Sequence, residues 1–156
     1  MSLVVVGLSH TSAPMSVLEQ IALDPSNVEQ LRADLIASPE IAESMVLSTC
    51  NRVEIVVEAD RFHGAVSDMG AALGRVGGVS ADELTDHLYV HYDERAVHHV
   101  FSTVCGLNSM AQGEPQIVGQ MRHALAQAQE DGSVGPRLNP LLQHALKVGK
   151  RAHSES

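Results

Sequence analysis

The sequence predicts an α+β fold, with a small antiparallel sheet followed by a helical region, and three observations carry that prediction. Aliphatic, β-branched runs too short for helices occur at Leu3-Val4-Val5-Val6, Met45-Val46-Leu47, Val53 to Val57 and Leu88-Tyr89-Val90. Between the first and second runs, and again between the third and fourth, apolar residues recur at helical spacing. Beyond residue 92 the spacing is helical throughout.

Taken in order, the first run ends at Gly7 and gives way to a polar loop, Ser9-His10-Thr11-Ser12-Ala13-Pro14. Pro14 suits a helix start, and His10 is either a plain loop residue or part of a pocket. Helices are predicted over 14–22 and 27–37, the second with Val28, Leu31 and Leu35 on one side and Pro39 as its stop. The second and third strands flank the bend Thr49-Cys50-Asn51-Arg52, and Val53-Glu54-Ile55-Val56-Val57-Glu58 is rich in the β-branched residues that favour a half-buried strand. Residues 62–76 follow as a small-residue helix with Val66, Met69, Ala72 and Leu73 on one side, ended by Gly77-Gly78. Ser80-Ala81-Asp82-Glu83 reads as a capping box for a short turn of helix, and the fourth strand follows. The order is βαββαβ, the split arrangement of a ferredoxin-like unit, over residues 1–92.

Residues 93–156 form the helical part. In 93–107 the predicted apolar stripe is Val97, Val100, Phe101 and Val104, which places His99 with Ala96, Ser102 and Thr103 on the other side. His99 there is either solvated or turned into a site; His98 is a surface residue and Cys105 a buried packing residue. In 115–130 the stripe is Ile117, Met121, Leu125 and Ala128, while Gln116, Gln120, His123 and Gln127 share the opposite face. Leu138, Leu141, Leu142, Ala145, Leu146 and Gly149 mark a last helix.

Composition limits the function classes. A chain of 156 residues has the size of one compact domain with an adequate core. Aromatic residues make up 3% and Trp is absent, so the core is aliphatic and a stacking platform for single-stranded nucleic acid is disfavoured. A net charge of −9 argues against charge-driven binding to phosphate backbones, so any RNA contact must be local. Cys50 and Cys105 are far apart, with no Cys-x-x-Cys, and no signal peptide or membrane-length apolar run is present; free thiols in a reducing cytoplasm follow as the expectation. His87 and His91 are four apart, but on a strand rather than a helix face and without His-Glu-x-x-His, so no metal is expected.

The chemistry concentrates in the bend. A free thiol attacks as the thiolate, and a cation nearby favours that form. If the backbone is extended, alternation puts Cys50 and Arg52 on one face. Near the start of the sixth predicted helix, Ser109, Glu114, Gln116 and Gln120 bring together donors and acceptors suited to a small polar ligand. A cysteine hydrolase with a histidine base, or a binding and regulatory module with an inert cysteine, are the competing readings.

Ser48-Thr49-Cys50-Asn51-Arg52-Val53-Glu54 resembles the signature of glutamyl-tRNA reductase. Gly7-Leu8-Ser9-His10-Thr11-Ser12-Ala13-Pro14 resembles that family's amino-terminal motif, with Thr11 where the family has a basic residue. Gly106-Leu107-Asn108-Ser109-Met110 together with Gly113-Glu114-Pro115-Gln116-Ile117-Val118-Gly119-Gln120 resembles its second long motif, and residues 96–101 match its Ala-Val-x-His-x-Phe pattern. The resemblance covers nearly the whole chain and implies one N-terminal catalytic domain over 1–156, leading into a linker helix. It implies Cys50 as the nucleophile that takes glutamate from glutamyl-tRNA as a thioester, and His99 as a residue that orients substrate or manages a proton. Thr49, Asn51, Arg52, Ser109, Glu114, Pro115, Gln116 and Gln120 would be substrate-binding. NADPH would reduce the thioester to glutamate-1-semialdehyde, the entry to five-carbon tetrapyrrole synthesis. No Gly-x-Gly-x-x-Gly follows a strand, so the NADPH-binding and dimerisation domains are expected outside these residues. A homodimer, and contact with glutamate-1-semialdehyde aminomutase, are the further partners the resemblance implies.

Overall fold

The computed structural model describes residues 1–22, 24–107 and 116–154. The strands are β1 (Ser2–Ser9), β2 (Ile41–Ser48), β3 (Arg52–Ala59) and β4 (Tyr89–Tyr92). They form one antiparallel sheet in the order β2-β3-β1-β4, as the ferredoxin-like expectation requires. Helices α1 (Met15–Ala22) and α2 (Pro25–Ala37) join β1 to β2, and α3 (Phe62–Gly77) and α4 (Ala81–Thr85) join β3 to β4. Helices α5 (Glu94–Val104), α6 (Ile117–Asp131) and α7 (Leu138–Ser154) follow.

Both faces of the sheet are covered. Val4, Val6 and Leu8 of β1 and Val53, Ile55 and Val57 of β3 point toward α1 to α4, where they meet Leu18, Leu31, Met69 and Leu73. The alternate residues Leu3, Val5, Met45, Leu47 and Val56 point the other way, into a second core with Val100, Met121 and Leu142 of α5 to α7. Burying each such Val, Leu or Ile is worth about 1.5–3 kcal/mol. The helical part is thus the second layer on the sheet rather than a lobe standing apart from it.

This corrects the half-buried reading of β3, which is buried at every position. Alternating glutamates suggest a wet face, yet Glu54 and Glu58 lie under α5 to α7 and are 2% and 8% exposed. The stripe predicted for α5 is also corrected. Its buried residues are Ala96, Val100, Thr103 and Val104, while Val97 faces solvent. Ala96 and Thr103 are small enough to let α5 pack closely against its neighbours, and that rotation brings His99 to the edge of the buried side.

Local signals account for the ends. Asp24 caps α2, its side chain accepting from Ser26 N at 2.9 Å with Pro25 in the first turn, so α2 starts earlier than the apolar spacing shows. Ser80 caps α4 through Glu83 N at 3.2 Å. Gly78 and Gly132 end α3 and α6 with φ of 65° and 73°. A cap that local sequence cannot reveal serves α7: Glu43, on β2, accepts from the backbone N–H groups of Gly135, Arg137 and Leu138.

Candidate functional site

β2 and β3 are joined by a tight turn with Cys50 at its apex. Thr49 N donates to Arg52 O at 2.8 Å, and the Thr49 hydroxyl accepts from Asn51 N and Arg52 N at 3.1 and 3.2 Å. Thr49 is accordingly buried and shapes the turn, whereas Cys50 is exposed and Asn51 half-buried. The loop after β1 braces the turn from outside. His10 N donates to Asn51 O at 2.9 Å, and His10 Nδ1 sits 3.4 Å from the same carbonyl. That loop is itself closed by Ser12 N and Ala13 N donating to Ser9 O, which gives the polar Ser9-to-Pro14 stretch a physical purpose.

Cys50 opens into a cavity of about 560 Å³ whose walls include Met15 and Leu18 of α1, Asn51 of the turn and Gln120 of α6. Gln116 lines an adjoining cavity with Ser48, Gln120 and His123. The structure therefore brings Cys50, Thr49, Asn51 and Gln120 together, with Gln116 next door. Ser109, Glu114 and Pro115 lie outside the described residues. Cys105, at the end of α5, is half-buried against the second core.

Arg52 is not on a face with Cys50. The turn interrupts the alternation, and Arg52, already in β3, points under α5 and is 2% exposed. Its Nη1 donates to Glu54 Oε2 at 2.7 Å. The Tyr89 hydroxyl donates to the same oxygen at 2.8 Å, and His99 Nε2 lies 3.0 Å from both carboxylate oxygens, so that nitrogen carries the proton. Glu54 is the centre of a buried polar layer that reasoning from local sequence missed. An inward glutamate in a largely apolar strand, two positions from the motif arginine and four from the motif cysteine, was the available signal.

The layer depends on Gly7. In register, Gly7 stands between Glu54 on β3 and Tyr89 on β4, and the Tyr89 side chain reaches across it. A Cβ there would lie 2.8 Å from Glu54 Cγ and 3.0 Å from the Tyr89 hydroxyl. Burial alone would raise the Glu54 carboxyl; the hydrogen bond and charge of His99, with the charge and hydrogen bond of Arg52, outweigh it and hold the group below its ordinary value. Burial, then the Glu54 charge, pushes the Tyr89 phenol up and keeps it a donor. His91 stacks on His99 with ring centres 4.4 Å apart, and burial followed by the charge of His99 pushes it down.

His99 lines a second cleft, with His91, Glu94, Arg95, His98 and Ser102, rather than the described walls around Cys50. Arg52 and Glu54 lie buried behind His99, and neither lines the Cys50 cleft. Among the described residues no group of three His, Cys, Asp or Glu side chains is placed to hold a metal ion. Among those residues, no helix is long and apolar enough to cross a membrane.

A family model described as "Glutamyl-tRNAGlu reductase, N-terminal domain" matches residues 6–156. The glutamyl-tRNA reductase of Streptomyces coelicolor is 52% identical over all 156 residues, which make up 27% of that protein. That of Kineococcus radiotolerans is 53% identical over the same 156 residues, 35% of its length. The solved glutamyl-tRNA reductase from Methanopyrus kandleri superposes on 99% of this chain and 35% of its own, with a TM-score of 0.76 at 28% identity. The chain thus spans about a third, or less, of these proteins.

Proposed function

Since the chain belongs to the family of glutamyl-tRNA reductase N-terminal domains, we propose that it captures the glutamyl group of glutamyl-tRNA on Cys50 as a thioester. The observation that carries this reading is the exposed thiol at the apex of a turn fixed from inside by Thr49 and from outside by His10, opening into a cleft lined by the amides of Asn51 and Gln120 and the carboxylate of Glu19. A reactive group held by rigid flanks meets its ligand in a fixed geometry, which lowers the entropic cost of reaction.

In the proposed step Cys50 Sγ, as thiolate, adds to the ester carbonyl carbon. The carbon–oxygen bond to the terminal ribose breaks, and as the tRNA leaves that oxygen takes a proton from water, which balances the one the thiol gave up to solvent. Asn51 and Gln120 share the cleft with the thiol and supply amide donors for the carbonyl oxygen as it gains charge. By resemblance Arg52 takes the carboxylate of the glutamyl group, which a guanidinium binds at two points. The carboxylate would then have to reach past the turn to a side chain buried under α5, whose orientation Glu54 fixes. His99 tethers the same glutamate from α5 and so acts on Arg52 through it. Gln116, with Ser109, Glu114 and Pro115 by resemblance, completes the grip on the substrate.

NADPH, where bound, would supply hydride to the thioester, which is how the family resemblance places the chain on the route to tetrapyrroles. The described residues do not fit a dinucleotide. The sheet is antiparallel throughout, without the parallel βα turn whose glycines and helix N-terminus hold a pyrophosphate. The steps assigned to this chain therefore end at the thioester. A cysteine hydrolase with a histidine base would need that imidazole beside the thiol, and the described wall of the Cys50 cleft, which includes Glu19, contains no histidine.

The test is incubation with glutamyl-tRNA followed by intact-mass measurement. A gain of one glutamyl group in the parent chain, absent in Cys50→Ser, is the expected result. An unmodified parent chain under conditions where the tRNA stays acylated would refute the proposal.

A further inference from the structure

Three cavities meet at Ser48 and Gln120. One is the Cys50 cleft, of about 560 Å³; the second, of about 410 Å³, adds Gln116 and His123. The third, of about 450 Å³, runs between α2 and α6 over the edge strand β2, past Val46, His123 and Ala124 to Arg32 and Gln127. Together they form a groove that starts at the thiol and leads away from it. Gln116, Gln120, His123 and Gln127 follow one another at spacings of four, three and four, so one face of α6 walls it. From Gln120 to Gln127 the wall runs seven residues, about 10 Å.

We propose that this groove seats the terminal nucleoside of the acyl donor, the group that leaves when Cys50 is acylated; the inference rests on the thioester reading above. Two groups flank the carbonyl under attack, and the leaving one needs a place contiguous with the thiol. The chemistry of the walls selects its kind. Past the thiol end, where Glu19 lines the wall, amides and an imidazole offer uncharged donors and acceptors, and Val28, Val46 and Ala124 supply an apolar surface for a flat ring. The charges at the far end are mutually engaged: Arg32 Nε donates to Asp131 at 2.7 Å and Gln127 Nε2 to the same carboxylate at 3.1 Å, with Glu29 on the wall beside them. Such a lining disfavours phosphate and suits a sugar with hydroxyls carrying a hydrogen-bonding base. It also accounts for how a chain of net charge −9 handles an RNA-linked substrate. Recognition concentrates on the uncharged end of the nucleic acid, where a repulsive overall field matters least.

The experiment compares two acyl donors on the full chain: glutamyl-tRNA, and the α-methyl ester of L-glutamate, which has no nucleoside. Initial rates of glutamyl addition to Cys50 are read by intact mass for the parent, His123→Ala and Gln127→Ala. His123 is exposed, so its substitution leaves the core untouched. Each substitution should lower the rate with glutamyl-tRNA about five- to tenfold, the loss of one neutral hydrogen bond or slightly more, with the methyl-ester rate little changed. Adenosine should slow alkylation of Cys50 by iodoacetamide in the parent and do so less in both variants. Equal losses with both donors, or no loss with either, overturns the nucleoside site while leaving the thioester reading standing. A parent chain acylated by neither donor overturns both.

Discussion

Replacing Glu54 by Gln tests whether the buried polar layer is organised around a charge. Gln has nearly the same shape, so packing is preserved, but the Arg52 guanidinium, 2% exposed, loses the carboxylate 2.7 Å away. Removing one member of a buried ion pair costs about 3–5 kcal/mol, because the remaining charge is left without compensation. Against a total stability of about 5–15 kcal/mol for a domain this is a large fraction. Urea unfolding at neutral pH, followed by circular dichroism, should show a loss in that range. The Arg52→Met, Glu54→Leu double variant should be less destabilised than the sum of its single changes, since no lone charge remains. The pH dependence has a definite sign. Glu54 is held below its ordinary carboxylate value in the fold, so its stabilisation is present above the unfolded value of about 4.3 and is lost as pH falls through the folded one. Gln does not titrate, and the gap between parent and variant should narrow in acid. A loss under about 1 kcal/mol, the worth of an ordinary neutral hydrogen bond, with no narrowing in acid, would refute the charge-centred account.

Three other substitutions probe separate parts of the argument. Gly7→Ala puts a Cβ 2.8 Å from both Glu54 Cγ and the Val53 carbonyl oxygen; overpacking of this kind costs about 1–3 kcal/mol in urea unfolding, and unchanged stability would show that Glu54 and Tyr89 can part freely. Glu43→Ala removes the acceptor for three backbone N–H groups at the start of α7, and a loss of about 1–2 kcal/mol is expected; hydrogen exchange in the first turn of α7 should rise with it, and an unaltered pattern would rule out the cap. Arg52→Lys keeps the charge but not the planar fork, so glutamyl capture should weaken by about 1.5–3 kcal/mol in rate or affinity, and capture equal to the parent's would remove Arg52 from substrate binding.

The sheet was legible because its strands carry the signals that local sequence expresses well: β-branched runs, a hairpin bend, glycines and a capping Ser80. The strand order followed once βαββαβ was recognised. Two things were not legible. Whether Glu54 and Glu58 face water depends on what covers the second face of the sheet, and that is decided by α5 to α7, some forty residues or more along the chain. The rotation of α5 likewise follows from the small Ala96 and Thr103 fitting beneath it, which an index that ranks Val97 and Phe101 above them cannot see. In the site, Cys50, Thr49, Asn51 and Gln120 were named from motifs and do converge. The inward turn of Arg52 was missed because the alternation argument assumed an extended Cys50, while the hydroxyl of Thr49 folds that residue into a turn. Glu54, Tyr89 and Gly7 form one buried layer only through strand register, which links positions far apart in the chain.

The central claim, that Cys50 holds the glutamyl group as a thioester, is tested most directly by locating the adduct and identifying its bond. Glutamyl-tRNA carrying labelled glutamate would be incubated with the parent chain, Cys50→Ser and Cys105→Ser, and each digested for peptide mass mapping with and without hydroxylamine. The account predicts label on the peptide containing Cys50, released by hydroxylamine as a thioester must be, retained in Cys105→Ser and absent in Cys50→Ser. Label on the Cys105 peptide, or label resistant to hydroxylamine, would contradict it.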